Sequence, residues 1–201
     1  MDTPTSTIIV VPGARYFTSS NRLVRGAITR LYAFLNVVPR ASDSEEGWIR
    51  PLREYGYKVI RFQWTGDVSP LSVRRAVDDL TALIRDVGNV SIISSSLGTQ
   101  IALTASSRLP DHVELLVSLC GVYRHDGSRL PIMDVRSSND GFGNIIYSLL
   151  NVLVRTPTTT RTLSFDGIRH DEFADDMRIP SGFFAGRRIS EVISSFIREE
   201  I

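Results

Sequence analysis

The stretch VSIISSSLGTQIAL, residues 90–103, passes from one short apolar run to another through Ser94-Ser95-Ser96-Leu97-Gly98. Val90–Ile93 reads as a buried strand and Thr99–Arg108 as an apolar helix. A strand that turns this sharply into a helix forces one residue into a strained conformation with its side chain exposed. Backbone atoms approach closely there, so the residues two before and two after must be small. Ser94 and Gly98 meet that demand around Ser96. A second reading of the same residues is a polar turn in which serine caps the helix.

Outward from this turn, strands alternate with helices. Upstream, Thr7–Val11 (TIIVV) is a β-branched run ended by Pro12-Gly13, as expected of a buried parallel strand entering a tight turn. Leu23–Val38 has helical spacing with a broad apolar surface, and the polar loop RASDSEEG follows. Trp48–Tyr55 reads as a helix ending at Gly56, and Tyr57–Trp64 as a strand. Leu71–Val87 is an amphipathic helix with Val73, Val77, Leu80, Ile84 and Val87 on one stripe, Pro70 before it and Gly88 after it. Downstream, Val113–Val122 reads as a buried strand, Ile132–Ser137 as a shorter one, Gly143–Arg155 as a helix, Thr160–Phe165 as a strand and Ile189–Glu199 as the closing helix.

This alternation predicts an α/β fold, a three-layer α/β/α sandwich around a mainly parallel sheet. There is no internal repeat, low-complexity tract or linker, so residues 1–201 are expected to form one domain. In such sheets sites form beyond the carboxyl ends of the strands. The segments to watch are Pro12–Arg15, Thr65–Asp67, Ser94–Gly98, Tyr123–Asp126, Ser138–Asp140 and Asp166–His170.

Composition narrows the function. Hydrophobic residues make up 42% and charged residues 22%, ordinary for a globular chain. The formal net charge is +1 and the arginines are scattered, which gives no basic face for nucleic acid. The one cysteine, Cys120, cannot form an internal disulfide and lies in an apolar run, as expected of a buried, inert thiol. MDTPTSTIIVVPG lacks a basic n-region and a long enough apolar core for a signal peptide, and no run reaches the ~20 apolar residues of a bilayer span. A cytoplasmic protein without stable membrane insertion is the expectation. No P-loop, dinucleotide-binding glycine motif or metal-spaced Cys/His set is present, so neither a cofactor nor a metal is called for.

The turn at Ser96 resembles the G-x-S-x-G nucleophile elbow of the α/β-hydrolases, with serine in place of the first glycine. The resemblance covers nearly the whole chain and implies a serine hydrolase with minimal or no cap; a peptidase or acyltransferase using the same triad, or a non-catalytic binding protein of this fold, is the alternative. Ser96 is then the nucleophile, and the Leu97 N–H one oxyanion donor. Family chain order is Ser, then Asp or Glu, then His. Of the three histidines, His170 follows the last strand, where the family's base lies; His125 is the alternative, and His112 sits at the opposite end of the sheet. The family's acid follows the strand before the last, which points to Asp140, with Asp126 and Asp134 as alternatives and Asp166 a lesser one. Pro12-Gly13-Ala14-Arg15 resembles the family's first oxyanion loop, with the Ala14 N–H as second donor and Arg15 as the alternative.

Residues 16–45 read as an insertion in that loop, either a helix packed on the sheet or an apolar wall for an acyl chain. Trp64 lies at the same end and can shape a pocket, and Asp67 suits a cap for the turn before Pro70. The implied partner is a small ester or thioester with an apolar acyl or alcohol part.

Overall fold

The computed structural model of the protein describes residues 6–14, 46–169, 173 and 176–200. The expected helix 23–38, the insertion 16–45, Arg15 and His170 lie outside the described residues. Among the described residues six strands form one sheet in the order β2-β1-β3-β4-β5-β6. They are β1 (Thr7–Val11), β2 (Lys58–Arg61), β3 (Val90–Ser95), β4 (Val113–Leu119), β5 (Ile132–Ser137) and β6 (Thr160–Phe165). Every neighbouring pair is parallel. The helices are α1 (Glu46–Glu54), α2 (Pro70–Val87), α3 (Leu97–Ser106), α4 (Gly141–Asn151) and α5 (Ile189–Glu200). None of the described helices is long and apolar enough to cross a membrane.

Side-chain alternation splits the core in two. On one face Ile9, Val11, Ile92, Leu116 and Ile132 pack against the stripe Val77, Leu80 and Ile84 of α2 and Ile101 and Ala105 of α3. On the other, Ile8, Ile93, Val117 and Val135 pack against Trp48 and Leu52 of α1 and Val192, Ile193 and Ile197 of α5. Strands sandwiched this way are apolar on both faces, which is why β1 and β3 lack a hydrophilic alternation. Helix α2 begins as its sequence predicts. Pro70 occupies the first turn and Ser69 caps it, while Asp67 accepts from Ser69 N (3.1 Å), Ser69 Oγ (2.9 Å) and Ser72 Oγ (3.2 Å). Asp67 is therefore a capping residue.

Several boundaries differ from expectation for local reasons. The strand expected to reach Trp64 stops at Arg61, and Phe62 makes a last bond to Val10 O at 2.9 Å before the chain turns away. The strand expected to reach Val122 stops at Leu119, because Cys120 has φ 47°, which no extended strand accommodates. Helix α4 starts at Gly141 and stops at Asn151, short of Arg155. The link from β4 to β5 is a bare loop across residues 120–131, not a helical crossover. It closes its hydrogen bonds on side chains: Asn151 Oδ1 accepts from His125 N (2.9 Å), and Asn151 Nδ2 donates to Tyr123 O (2.8 Å).

Asp134 and Arg136 interrupt the apolar pattern of β5. They stand two residues apart on one face and pair with each other. Arg136 Nε donates to Asp134 Oδ2 at 2.7 Å, Ser118 Oγ donates to Asp134 Oδ1 at 2.9 Å, and the guanidinium lies 3.3 Å over the Tyr147 ring.

Sheet order places the crevice. The chain leaves β1 toward β2 on one side and leaves β3 toward β4 on the other, so the switch point lies between the carboxyl ends of β1 and β3.

Candidate active site

Ser96 stands at that switch point. It joins β3 to α3 with φ 49° and ψ −127°, far from the left-handed helical well as well as from the common ones. Bonds on both sides of the residue hold this backbone. Ser96 N donates to Leu119 O (3.1 Å), and Ser96 O accepts from Val122 N (2.9 Å) and Thr99 N (3.1 Å). The Ser96 side chain makes no capping bond to α3, which removes the helix-cap reading of the turn. The small residues around it have separate reasons. A Cβ on Gly98 would fall 2.5 Å from Pro12 O and 2.8 Å from Val11 O. Ser94 Oγ is buried and lies within hydrogen-bond distance of Val117 O and Thr99 Oγ1, both at 3.1 Å.

The loop after β1 meets the elbow directly. A Cβ on Gly13 would lie 3.0 Å from Ser96 Cβ, so the backbone of this loop runs against the turn at Ser96. Gly13 N donates to Ser95 Oγ at 3.0 Å, and Trp64 Nε1 donates to Pro12 O at 2.9 Å. Ala14 is the next residue, and Leu97 opens α3, where first-turn amides have no intrahelical partner and the helix dipole favours negative charge.

Asp140 is 1% exposed and follows β5, two strands from Ser96 in the sheet. Its Oδ1 accepts from Gly143 N at 2.8 Å. Gly143 packs so closely that a Cβ there would fall 2.2 Å from Asp140 Oδ2. The Cys120 thiol also meets this carboxylate. Burial pushes the thiol pKa well up, reinforced by the Asp140 charge and by the S–H bond donated to it. Cys120 is thus buried as expected, and held as the neutral thiol.

The other carboxylates have different surroundings. Asp134 is held by Arg136 and Ser118; burial raises its pKa and those two partners act against the rise. Asp126 is exposed and accepts from Ser128 N at 2.9 Å, a turn bond. Asp166 accepts from Ser138 Oγ at 3.1 Å. His125 is 4% exposed, and its Nε2 lies 2.7 Å from Tyr147 Oη. Burial lowers its pKa, with Asp134 raising it and Arg136 lowering it. His170 lies outside the described residues, as do Asp171 and Glu172.

Three features escaped the sequence reading. The run HDEFADD, residues 170–176, is mostly polar, yet Phe173 and Asp176 are each 1% exposed. Asp176 accepts from Ser190 N (2.6 Å) and Ser190 Oγ (2.8 Å), which caps α5 from across the loop. The isolated Phe between acids was the available signal. The Asp134–Arg136 pair could have been read from its i,i+2 spacing, which puts both on one strand face. The contacts of Trp64 and Ser95 with the Pro12–Gly13 peptide had no signal, because they join segments far apart in sequence.

No protein-family model matches the chain, and no curated protein matches it in sequence. Solved structures do match. A protein described as a predicted CIB-like hydrolase from Thermoplasma acidophilum aligns with TM-score 0.64 and 12% identity, over 99% of this chain and 89% of that one. MGS-MChE2, an α/β hydrolase enzyme from a lagoon-sediment metagenome of Mar Chica, aligns with TM-score 0.64 and 14% identity, over 97% and 91%. A structure from work on carboxylesterases of the thaumarchaeon Nitrososphaera gargenis aligns with TM-score 0.60 and 10% identity, over 98% and 91%. With six parallel strands in this order, an elbow after the third and these neighbours, the chain has the α/β-hydrolase fold.

Proposed function

We propose that the protein is a serine hydrolase that cleaves a carboxylic ester or thioester through an acyl-enzyme on Ser96. The observation that carries the reading is the strained backbone of Ser96, φ 49° and ψ −127°, held between the Gly13 loop and Gly98 at the switch point of the sheet. Strain of this kind costs of order 1–3 kcal/mol and persists where the surroundings over-determine it, typically at functional sites. An ordinary helix start would not need it.

In this reading His170 takes the Ser96 proton as Oγ attacks the carbonyl carbon, and the carbonyl π electrons move to oxygen. The Ala14 and Leu97 amides stabilise that oxyanion. The tetrahedral species collapses, the bond to the alcohol or thiol breaks, and His170 returns the proton to the leaving group. Water then releases the acid by the same steps. Asp140 orients His170 and stabilises the imidazolium. The carboxylesterase among the structural neighbours supports the ester, and the complex of tomato methylketone synthase I with 2-tridecanone (TM-score 0.63, 8% identity, over 99% of this chain and 100% of that one) supports an apolar ligand.

Fluorophosphonate labelling tests the reading. The wild type is expected to label, and Ser96→Ala and His170→Ala to lose labelling while remaining folded. A folded wild type that does not label refutes it. Labelling would be followed by esters of graded acyl length. The rate is expected to rise with pH through the histidine range, near ~6.5 for an unperturbed imidazole, because the base must be neutral. A flat profile from acid to neutral excludes His170 as the base.

A further inference from the structure

The Pro12–Gly13 peptide is held at both of its polar ends by side chains from other parts of the chain. Trp64 Nε1, from the loop after β2, donates to the carbonyl of that peptide at 2.9 Å. Ser95 Oγ, from the end of β3, accepts from its N–H at 3.0 Å. A third restraint comes from packing, since Gly98 leaves no space between α3 and Pro12 O beyond van der Waals contact. These bonds run in opposite directions across one planar unit, so the peptide cannot rotate without breaking both. We infer that Trp64 and Ser95 are positioning residues that clamp the Pro12–Gly13 peptide and thereby hold the next amide, that of Ala14, in place as an oxyanion donor.

The need for such a clamp follows from the sequence. Glycine at 13 is the residue least able to hold its own backbone, because it lacks the Cβ that restricts φ and ψ. A side chain there would press on the turn, since a Cβ on Gly13 would lie 3.0 Å from Ser96 Cβ and 3.2 Å from Ser95 O. An oxyanion donor works by being aligned before the charge forms, so that the site does not reorganise during reaction. A loop that carries glycine at this close approach and must also be rigid therefore takes its rigidity from elsewhere. Trp64 is half-buried against the α2–α3 face of the core, which fixes its ring, and Ser95 belongs to the central strand β3. Neither side chain acts on substrate; each acts through the backbone of residues 12–14.

The inference rests on the hydrolase reading for its catalytic part, but the clamp itself has an independent test. In this chain, Trp64→Phe keeps an aromatic side chain, smaller than indole, and removes the N–H; Ser95→Ala removes the acceptor; Ser95→Thr keeps the hydroxyl. Steady-state hydrolysis of a short p-nitrophenyl ester is expected to show kcat reduced on the order of tenfold for Trp64→Phe and Ser95→Ala, less than the loss of a whole oxyanion donor. KM is expected to stay within about twofold, since the aligned amide matters in the transition state, and Ser95→Thr is expected to recover most of the rate. Unchanged kcat in both variants, or a loss that falls only in KM, overturns the inference.

Amide exchange by NMR separates the two readings. The Gly13 amide and the Trp64 indole N–H are expected to be protected in the wild type. Gly13 exchange is expected to accelerate in Ser95→Ala and in Trp64→Phe. A wild type without hydrolysis but with this protection pattern refutes the hydrolase reading and keeps the clamp. Fast Gly13 exchange in the wild type refutes the clamp.

Discussion

At the scale of single residues, the site depends on positions where one methyl group is too many. Gly143 packs against the carboxylate of Asp140, and Gly143→Ala would place a Cβ 2.2 Å from Oδ2. The carboxylate must move, because Gly143 lies in the first turn of α4 and cannot retreat without opening the helix. Displacement of about 1 Å at an orienting group can reduce turnover about 100-fold. Gly143→Ala is therefore expected to lower kcat by about 10- to 100-fold while the protein still folds, read by ester hydrolysis alongside circular dichroism; normal turnover would detach Asp140 from the chemistry. His125 gives a different kind of prediction. Burial lowers its pKa below the ordinary 6.5, so the unfolded chain binds a proton there before the folded one does. Its contribution to stability is complete above about pH 6.5 and is lost as the pH falls from the unfolded value through the folded one. Asp134 and Asp176, whose pKa values are raised, have the opposite sign as the pH falls toward the carboxylate range. Comparison with His125→Gln isolates the histidine. Between pH 7 and 5.5 the wild-type melting temperature is expected to fall more steeply than that of the variant, and parallel slopes would contradict the assignment.

At the scale of elements, β5 shows how a strand can carry charge in its interior. Asp134 is nearly inaccessible, and its side chain is matched by Arg136 at 2.7 Å and Ser118 at 2.9 Å. Arg136 in turn donates through Nη2 to Gly121 O at 3.1 Å, which ties the bare β4–β5 link to the strand. Removing one partner of such a pair leaves an uncompensated buried charge and costs about 3–5 kcal/mol, whereas replacing both with apolar residues of similar volume is often neutral or stabilising. Arg136→Met is expected to lose stability in that range by urea unfolding. The double variant Asp134→Leu/Arg136→Met is expected to recover most of it. A double variant as unstable as the single one would mean that the tie to Gly121, not the charge balance, dominates. Helix α2 offers the simpler case. Ile84 is fully buried against the sheet, and Ile84→Ala is expected to cost about 2–5 kcal/mol by the same measurement.

At the scale of the whole molecule, the alternation of apolar strands with amphipathic helices was readable because each element carries its own signal. The stripe of α2, the β-branched β1 and the small residues around Ser96 reflect restraints that act within a few residues. Strand ends were read less well. Cys120 ends β4 through a positive φ that the sequence does not announce, and the chain leaves β2 at Phe62 rather than at Trp64. The site divides in the same way. The turn at Ser96 was legible as strand, small residues and helix, and Asp140 as a residue that follows β5. The sequence could not show that Gly143 and Cys120 face the Asp140 carboxylate, that Asp176 caps α5, or that Trp64 and Ser95 hold one peptide of the Gly13 loop. By itself, then, the sequence determined the layered fold and the turn that presents Ser96, because short-range sterics and side-chain periodicity are local properties of the chain. Only the tertiary structure decided which distant groups hold that turn and its neighbouring loop, because those bonds depend on the strand order β2-β1-β3-β4-β5-β6, which brings the ends of β1 and β3 side by side.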